Sequence, residues 1–483
     1  MDSEIVNYAK KYNLIITEEA LRLLNNYNYK KVINKLKDED KIFVNAEDIK
    51  ILDIPVDEDN KIENNKHFYI IDKYDITGKN YDQGSVDAFH KLFLDKYNTL
   101  SEIIKNRTNF SFTTIADAQK QTKNKPVDII GMVYEKRISK NGNLILAIDD
   151  PTAEIRLVIM NKDEKEFFKM KEILLDNVLG FKCNVLSKDM LIVNEVIYPD
   201  IPLQNNKPIL TKDKYIAIIG DIHVGSNFFL EKEFSKFIDW LNGEVDEDKE
   251  IAKQIKYLII AGDMVDGIGV YPAQFEHLAI TDINKQYELF EEYILKIRKD
   301  IEIFIISGNH DAVRLSDPQP AISEQFLPRS YKEENMHILG SPSWVVIEGY
   351  KILLYHGASL HGIYAEIKEA TMDKPDLAMK EVLKRRDLMP QFGQRQTFVP
   401  IEKNFMTIPE VPDIFITGDV HHHAYSKYKN THLICTSCWQ ETTPRQIELG
   451  HKPTQAKALL FNLKTQHLKI KDFLEEEKWI WKI

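Results

Sequence analysis

The chain contains little cysteine and no long apolar run, and each absence excludes a class of protein. Three cysteines in 483 residues, Cys183, Cys435 and Cys438, are too few for a disulfide framework. Cys435 and Cys438 follow a predicted strand without further zinc ligands nearby, so we interpret them as packing residues. No apolar run approaches the roughly 20 residues that span a bilayer, and Met1-Asp2-Ser3-Glu4 lacks a signal-peptide layout. We therefore expect a soluble, intracellular, cytoplasmic protein without membrane contact.

The chain also lacks an excess of positive charge. Acidic residues outnumber basic ones by 75 to 64, which gives a formal net charge of −11. This balance argues against wrapping nucleic acid through bulk charge. It leaves chemistry on nucleic acid open, because bound divalent ions supply positive charge locally.

The patterns along the chain predict a multidomain α+β protein. Residues 1–54 form a small helical module, with Thr17 and Asn45 as helix caps. Residues 55–110 combine a polar linker, up to about residue 83, with a helix over Ser85–Lys105. Residues 111–205 are expected to form an OB-fold β-barrel, and residues 206–483 an α/β domain.

The barrel prediction rests on five short strands and a turn signal. The predicted strands are Val127–Val133, Leu144–Ile148, Glu154–Ile159, Leu179–Val185 and Met190–Val196. Asn141-Gly142 predicts a hairpin, and Lys165–Leu175 a helix. Barrels of this type often bind single-stranded nucleic acid, but here Lys136, Arg137 and Lys140 are accompanied by few aromatic residues. DNA contact and a purely architectural role therefore both stay open.

In the last domain, helices such as Glu231–Leu241 and Ile283–Lys299 alternate with five strands, and each strand ends in potential metal ligands. The strands are Tyr215–Ile219, Tyr257–Ile260, Ile301–Ile306, Ile352–Tyr355 and Ile414–Thr417. The clusters that follow them are Gly220-Asp221-Ile222-His223, Gly262-Asp263-Met264-Val265-Asp266, Gly308-Asn309-His310-Asp311, His356-Gly357 and Gly418-Asp419-Val420-His421. Because ligands in open sheets collect at the carboxyl ends of strands, this order predicts a two-metal phosphoesterase.

The donor types suggest which ions such a site would take. Carboxylate, amide and imidazole groups without cysteine suit Mn²⁺ or Mg²⁺, and also Fe²⁺. His310, directly after Asn309, is placed to donate a hydrogen bond or proton to a phosphate. We interpret the remaining histidines as lying outside the site, namely His422 and His423, which extend the last cluster, and His277, His337 and His361.

The ordered set D-x-H, G-D-x-x-D, G-N-H-D, H-G and G-x-x-H resembles the calcineurin-like metallophosphoesterases. The resemblance implies roles for eight positions. One metal ion would be held by Asp221, His223, Asp263 and His421. The second would be held by Asp263, Asn309, His356 and Asp419, with His310 as the catalytic histidine.

Longer strings are similar to the small subunits of archaeal family D DNA polymerases. These strings are Gly262–Pro272, Gly308–Pro320, and Lys384–Leu388 leading into Pro390-Gln391-Phe392-Gly393. The resemblance implies a 3′→5′ proofreading exonuclease that docks on a large polymerising subunit and acts on primer–template and single-stranded DNA. Contact with a sliding clamp through that complex stays open. Arg314 and the Lys384–Arg386 group would contact phosphates, form a subunit seam or be solvated surface.

One position departs from the resemblance. Phosphoesterases of this kind generally end in Gly-His-x-His, and here Asp419 replaces the first histidine. Asp419 either ligates the second ion with an extra negative charge or does not ligate, which would leave activity weak. Seven of the eight positions are kept, which favours an active enzyme. The alternatives are an inactive scaffold subunit, and a repair nuclease or small-molecule phosphatase on the same fold.

Overall fold

The computed structural model describes most of the chain after residue 66. The described residues are 67–79, 84–107, 111–203, 208, 210–245, 248–393, 396–401, 403–448, 450–474 and 479–482 and, before them, 8–12, 14–17, 20, 24, 32–33, 36, 43–45 and 48. The chain divides into two compact units, residues 1–69 and 70–483. Within the described residues, no helix is both long enough and apolar enough to cross a membrane.

The smaller unit has an apolar core and two of the predicted helix caps. Its buried residues are Ala9, Leu14, Ala20, Leu24, Val32, Ile33, Leu36 and Val44. Thr17 Oγ1 accepts a hydrogen bond from the Ala20 N–H at 3.4 Å, and Asn45 Oδ1 accepts one from the Asp48 N–H at 3.1 Å. The unit also contains a parallel strand pair that the sequence analysis missed, β1 (Ile15–Ile16) and β2 (Phe43–Val44). Much of the predicted helical module lies outside the described residues.

The predicted linker requires a correction in its described part. Residues 55–66 and 80–83 lie outside the described residues, while strand β3 (Phe68–Ile70) and a 3₁₀ turn (Asp72–Tyr74) lie between them. In the larger unit, the Asp75 carboxylate accepts hydrogen bonds from the Gly340 N–H and the Ser343 hydroxyl, both at 3.0 Å. Two hydrogen bonds to one carboxylate hold the backbone at Asp75 against Gly340 and Ser343. This part of the segment is therefore packed on the larger unit and is not a linker.

The β-barrel has the five predicted strands, and a short sixth strand that was not predicted pairs with one of them. The additional strand is β4 (Phe112–Thr113), and the predicted ones are β5 (Pro126–Ile138), β6 (Leu144–Asp150), β7 (Ala153–Ile159), β8 (Val178–Ser187) and β9 (Met190–Ile197). Five of them run in the order β5-β6-β7-β9-β8, and β8 pairs back with β5, which closes the barrel. Helices α2 (Ile115–Ala118) and α3 (Glu164–Met170) flank it, and Gly142 has a φ of 76° in the predicted hairpin turn.

Two further sheets make up most of the larger unit. Their strands are β10 (Tyr215–Ile219), β11 (Ile255–Ile260), β12 (Glu302–Ile306), β13 (Met336–Leu339), β14 (Ser343–Ile347), β15 (Tyr350–Leu354), β16 (Ile414–Thr417), β17 (Ala424–Tyr428), β18 (Thr431–Cys435), β19 (Lys457–Asn462), β20 (Leu468–Asp472) and β21 (Trp479–Lys482). The first sheet has the order β13-β12-β11-β10-β19-β20-β21, and the second contains β17-β18-β16-β15-β14. The rings of Tyr350 and His432 both contact Phe461, so the two sheets face each other.

Helices cover the outer faces of these sheets. We number the helices of the larger unit α1 (Val86–Arg107), α2 and α3 of the barrel, α4 (Glu231–Asn242), α5 (Lys249–Gln254), α6 (Ile283–Ile294), α7 (Leu360–Glu366), α8 (Pro375–Arg385) and α9 (Pro444–Glu448). Residues of α4 and α6 share a core with the first sheet, and residues of α7 and α8 share one with the second. Three of the five strands predicted in this domain differ from the observed ones by one or two residues at one or both ends, and α6 stops five residues before its predicted end.

Within the basic group Lys384–Arg386, Arg385 and Arg386 lie in a buried joint, while Lys384 is partly exposed. Arg385 forms an ion pair with Glu381 and donates to Asn177 Oδ1 at 3.1 Å, so it links α8 to the barrel. Arg386 donates to the carbonyl oxygens of Ile408 at 2.6 Å and Pro409 at 2.8 Å. Burial of both guanidinium groups removes them from any contact with DNA phosphate.

Candidate metal centre

The five predicted clusters meet at one end of the two facing sheets. Asp221, Asp263 and Asn309 follow β10, β11 and β12, while His356 and Asp419 follow β15 and β16. Three groups of donor atoms lie within 4.8 Å of one another: Asp221 with His223 and His421, His223 with Asp263 and His310, and Asp221 with Asp263 and His356. The sheets therefore bring together residues that are up to 200 positions apart in the chain.

The first half of the centre combines two imidazoles and a carboxylate. His223 Nε2 and His421 Nε2 are 2.9 Å apart, and His421 Nε2 is 3.6 Å from Asp221 Oδ1. All three side chains are buried. Two imidazole nitrogens that point at each other beside a carboxylate form a donor set that suits a divalent cation.

The second half is arranged around Asp263, which faces both halves. Asp263 Oδ2 is 3.3 Å from His356 Nε2 and 3.9 Å from His223 Nε2. Asn309 Oδ1 is 2.9 Å from His356 Nε2, and Asp419 Oδ1 is 3.9 Å from the same nitrogen. Asp263 thus lies between the two halves of the centre, within 4 Å of a histidine from each.

The backbone around the centre is held in a conformation that non-glycine residues rarely adopt. Left-handed φ values of 50–71° occur at Asp221, His223, Asp263, Asp419 and His421. Each such residue costs on the order of 1–3 kcal/mol and persists only where its surroundings hold it in place. Five of them in one cluster indicate that packing imposes this geometry, as is typical of functional sites.

Glycine is required at the strand ends because the ligands lie directly against it. A Cβ on Gly308 would lie 2.2 Å from Asp263 Oδ1, and one on Gly262 would lie 2.4 Å from His356 Nδ1. Similarly, a Cβ on Gly418 would be 2.8 Å from Asp221 Oδ2. Only a residue without a Cβ allows the backbone to approach the side chains of Asp221, Asp263 and His356 this closely.

Burial and histidine charges oppose each other in setting the pKa values of the centre. Burial raises the pKa of Asp221 well above its ordinary value. Burial also acts on Asp263, but His356 and His310 outweigh it and hold the pKa of Asp263 below its usual range. The pKa of His421 is lowered by burial and by His223 beside it. In the described part of the chain no Lys or Arg pairs with these carboxylates, so the centre is chemically suited to cations.

His310 stands beside the centre with one nitrogen engaged. Its Nδ1 lies 2.7 Å from the carbonyl oxygen of Asp266, and its backbone N–H donates to Asp263 Oδ1 at 2.9 Å. Because a carbonyl only accepts, Nδ1 carries the proton and Nε2 is left for another partner. The ring packs edge-on against that of His223, with centroids 4.6 Å apart.

Three residues outside the predicted ligand set hold the predicted ligands from behind. Asp266 Oδ1 is 3.1 Å from His223 Nδ1, and Gln446 Nε2 is 2.8 Å from His421 Nδ1. Thr436 donates its hydroxyl to Asp221 Oδ2 at 3.1 Å. Only Asp266 had a signal in the sequence, the second aspartate of G-D-x-x-D, because the other two come from distant segments.

Three histidines that were interpreted as lying outside the site are His361, His422 and His423. His361, interpreted from sequence as lying outside the site, is in fact 2.9 Å from Asp419 through its Nε2, which corrects that interpretation. His422 Nδ1 pairs with the Lys452 carbonyl at 3.0 Å, and none of the three donor groups includes His422 or His423.

The two cysteines of the C-x-x-C pair are buried and free, and burial raises the pKa of Cys438 to about 12.

Comparison with known proteins places these features in context. Residues 216–427 match the family model that describes the B subunits of DNA polymerases alpha and epsilon. The DNA polymerase II small subunit of Archaeoglobus fulgidus is 38% identical over 403 residues, covering 83% of this chain and 80% of that protein. The corresponding subunit of Thermoplasma acidophilum is 34% identical and covers 98% of this chain and 93% of that protein. Vacuolar protein sorting 29 from Cryptosporidium parvum is 15% identical, covers 56% of this chain and 95% of that one, and has a TM-score of 0.28.

Proposed function

The chain belongs to the family of archaeal DNA polymerase II small subunits, and on that basis we propose that it is a metal-dependent 3′→5′ proofreading exonuclease within a replicative DNA polymerase. The observation that carries the proposal is the convergence of Asp221, His223, Asp263, His356 and His421 within hydrogen-bond and ion-pair range. A retained donor set of this kind is costly to keep for the fold alone, because its carboxylates are buried and its backbone is strained.

The donor chemistry fits two divalent ions of the Mn²⁺ or Mg²⁺ class. Asp221, His223 and His421 would hold one ion and Asn309, His356 and Asp419 the other, with Asp263 shared. When bound, such a pair supplies an activated water and neutralises phosphate oxygens at the scissile phosphodiester. The products would be a nucleoside monophosphate and a primer shortened by one nucleotide.

His310 is proposed to act on the phosphate itself. His310 Nδ1 donates its proton to the Asp266 carbonyl oxygen. This hydrogen bond orients the ring and leaves Nε2 for a second partner. From that position a protonated Nε2 would donate to a phosphate oxygen or to the leaving 3′ oxygen. Asp266 therefore supports both His223 and His310, through its side chain and its backbone respectively.

The other parts of the larger unit suggest partners. We propose that the five-stranded barrel is an OB-type domain, that residues 206–483 form a calcineurin-like phosphoesterase domain, and that the chain docks on a large polymerising subunit inside the cell. Primer–template and single-stranded DNA would be its substrates. Lys136 donates to the Lys171 carbonyl at 2.6 Å and Arg137 pairs with Glu135 at 3.2 Å, so these two cations are partly engaged within the barrel.

The experiment is cleavage of a 3′-mispaired, 5′-labelled primer–template by the purified chain with Mn²⁺. Wild type should give a ladder that shortens from the 3′ end. Asp263→Ala should abolish cleavage with the fold retained, and Asp300→Asn, which changes an exposed carboxylate at the opposite end of β12, is the matched control. Nuclease activity in Asp263→Ala equal to wild type would refute the assignment of the centre.

His310→Ala separates metal binding from proton donation to the phosphate. We expect slower cleavage with metal ions still bound, because His310 contacts Asp263 through its backbone N–H, which alanine keeps. Cleavage loss in this variant is expected to be about 10²–10⁴-fold, the usual contribution of a positioned proton donor. Loss of metal ions from the variant would contradict that role.

A scaffold subunit without activity is the second candidate, and Asp419 is the observation that favours it. A carboxylate where related phosphoesterases have a histidine adds a negative charge to a site that already contains Asp221 and Asp263. Absence of cleavage by wild type, with the large subunit present and with several divalent ions, would support this candidate.

A further inference from the structure

His361 lies at the edge of the metal centre, next to Asp419, the residue that departs from the resemblance. Its Nε2 is 2.9 Å from Asp419 Oδ2, while the other oxygen of the same carboxylate, Oδ1, is 3.9 Å from His356 Nε2. Asp419 therefore spans two imidazoles. The Asp419 side chain is 8% exposed and that of His361 24%, so the pair runs from the centre toward solvent.

The backbone beneath His361 is held in place by buried contacts. His361 is the second residue of α7, which follows the loop that carries His356. Ser359, just before the helix, donates its hydroxyl to the Leu388 carbonyl at 2.5 Å and its N–H to the Tyr355 hydroxyl at 3.0 Å. Because these anchors are buried, the distance between His361 and Asp419 is a built feature of the fold.

Asp419 is held from its other side as well. Its backbone N–H donates to Asp221 Oδ1 at 3.0 Å, and its φ of 71° places the side chain between His356 and His361. A carboxylate fixed at its backbone still rotates about its side-chain bonds unless one oxygen is bound. His361 supplies the partner for that oxygen.

We propose that His361 is a positioning residue of the metal centre, which holds Asp419 in place as a ligand of the second ion. This inference rests on the proposed function. It reverses the common arrangement in which a ligating histidine is held by a carboxylate, since here a ligating carboxylate is held by a histidine. Because His361 acts only through Asp419, removing either side chain should weaken binding of the same ion.

The test is Mn²⁺ binding to the full-length chain by isothermal titration calorimetry, which is independent of cleavage. Wild type should bind two ions. His361→Ala should weaken one of them by about 10–100-fold, the usual effect of removing a residue that holds a ligand, and leave the other unchanged. His361→Gln, whose amide also donates to Asp419, should recover most of the loss.

Two further variants make the result specific. Asp419→Ala should weaken the same ion, and the double variant should be no weaker than Asp419→Ala alone by more than about 2-fold, because the pair is coupled. His337→Ala removes a histidine from another histidine–carboxylate pair, in which Nε2 is 2.8 Å from Glu302 Oε2. This control should bind both ions like wild type.

The outcomes distinguish failure of the His361 inference from failure of the proposed function. Two ions bound by His361→Ala with wild-type affinity would overturn the inference and leave the metal centre standing, even if the variant melted at a lower temperature. Additive losses in the double variant would also overturn it. Wild type that binds no Mn²⁺ would instead refute the proposed function, and the inference with it.

Discussion

The Nδ1 atom of His223 lies 3.1 Å from Oδ1 of Asp266, and both side chains are about 1% exposed. The same carboxylate accepts hydrogen bonds from Gln440 and Gln274, each at 3.0 Å. With Asp266 fixed by two amides, His223 is held with Nε2 directed at His421 and Asp263. The orientation of a proposed metal ligand is thus set by a residue that does not itself face the centre.

Asp266→Asn tests this relationship. The amide keeps the shape of the side chain but removes its charge, so we expect Mn²⁺ affinity to fall by about 10–100-fold with the fold retained. Calorimetric titration gives the affinity and circular dichroism the fold. Asp300→Asn, a change of the same kind at an exposed position, should leave binding unchanged. Equal affinity in Asp266→Asn and wild type would contradict the positioning role.

Gly308→Ala tests the close packing at the end of β12. The added Cβ would lie 2.2 Å from Asp263 Oδ1 and 2.5 Å from its backbone nitrogen, so Asp263 has to move. Overpacking of this kind costs about 1–3 kcal/mol, and we expect both a lower unfolding midpoint and loss of Mn²⁺ binding. Gly362→Ala is the matched control, because its Cβ meets no atom within 4 Å. Unchanged metal binding in Gly308→Ala would show that the contact is not required.

The buried ion pair between Lys96 and Asp387 predicts a strong effect on stability. Lys96 Nζ is 2.6 Å from Asp387 Oδ2, and both side chains are 2% exposed. Lys96→Met leaves a buried carboxylate without its cation, so we expect a loss of about 3–5 kcal/mol in the free energy of unfolding. Urea denaturation measures it, with Lys91→Met on the exposed face of the same helix as control. The double variant Lys96→Met, Asp387→Asn should recover part of the loss, and failure to do so would point to lost packing instead.

Glu410 predicts a dependence of stability on pH away from the metal centre. Burial raises its pKa, but Lys351 at 2.6 Å and Tyr74 at 2.9 Å outweigh that effect and lower the pKa from 4.5 to about 2. A lowered folded-state pKa stabilises the protein above pH 4.5, and this contribution is lost as the pH falls toward 2. Since Glu410 is partly exposed, we expect about 1–3 kcal/mol.

Thermal melting of Glu410→Gln across pH measures this contribution. The melting temperature of the variant should lie below that of wild type by a constant amount between about pH 6 and 8. The difference should shrink by about half near pH 3.5, because the unfolded carboxylate is then mostly protonated. A difference that stays constant down to that pH would assign the effect to packing and not to charge.

The positions of the five strands that lead into the metal centre were readable from the chain. Five continuous apolar runs, each followed by glycine and a polar cluster, correspond to β10, β11, β12, β15 and β16. The barrel strands were found because alternation and the Asn141-Gly142 turn are local signals. Helix α6 was predicted to reach Lys299 but ends at Ile294. Asn242, from α4, accepts the Arg298 N–H and donates to the Lys296 carbonyl, both at 2.9 Å, which replaces the last helical turn.

The sequence by itself therefore determined which residues stand at the strand ends, since strand periodicity and turn chemistry act over a few neighbouring positions. Tertiary structure alone decided which side chains meet behind them. Lys96 lies in an apolar stripe of α1 and is buried opposite Asp387, whose carboxylate balances its charge. His361 joins the centre because α7 presents it to Asp419, 58 positions away. Such pairings depend on how helices and sheets pack, and no local pattern in the chain encodes that packing.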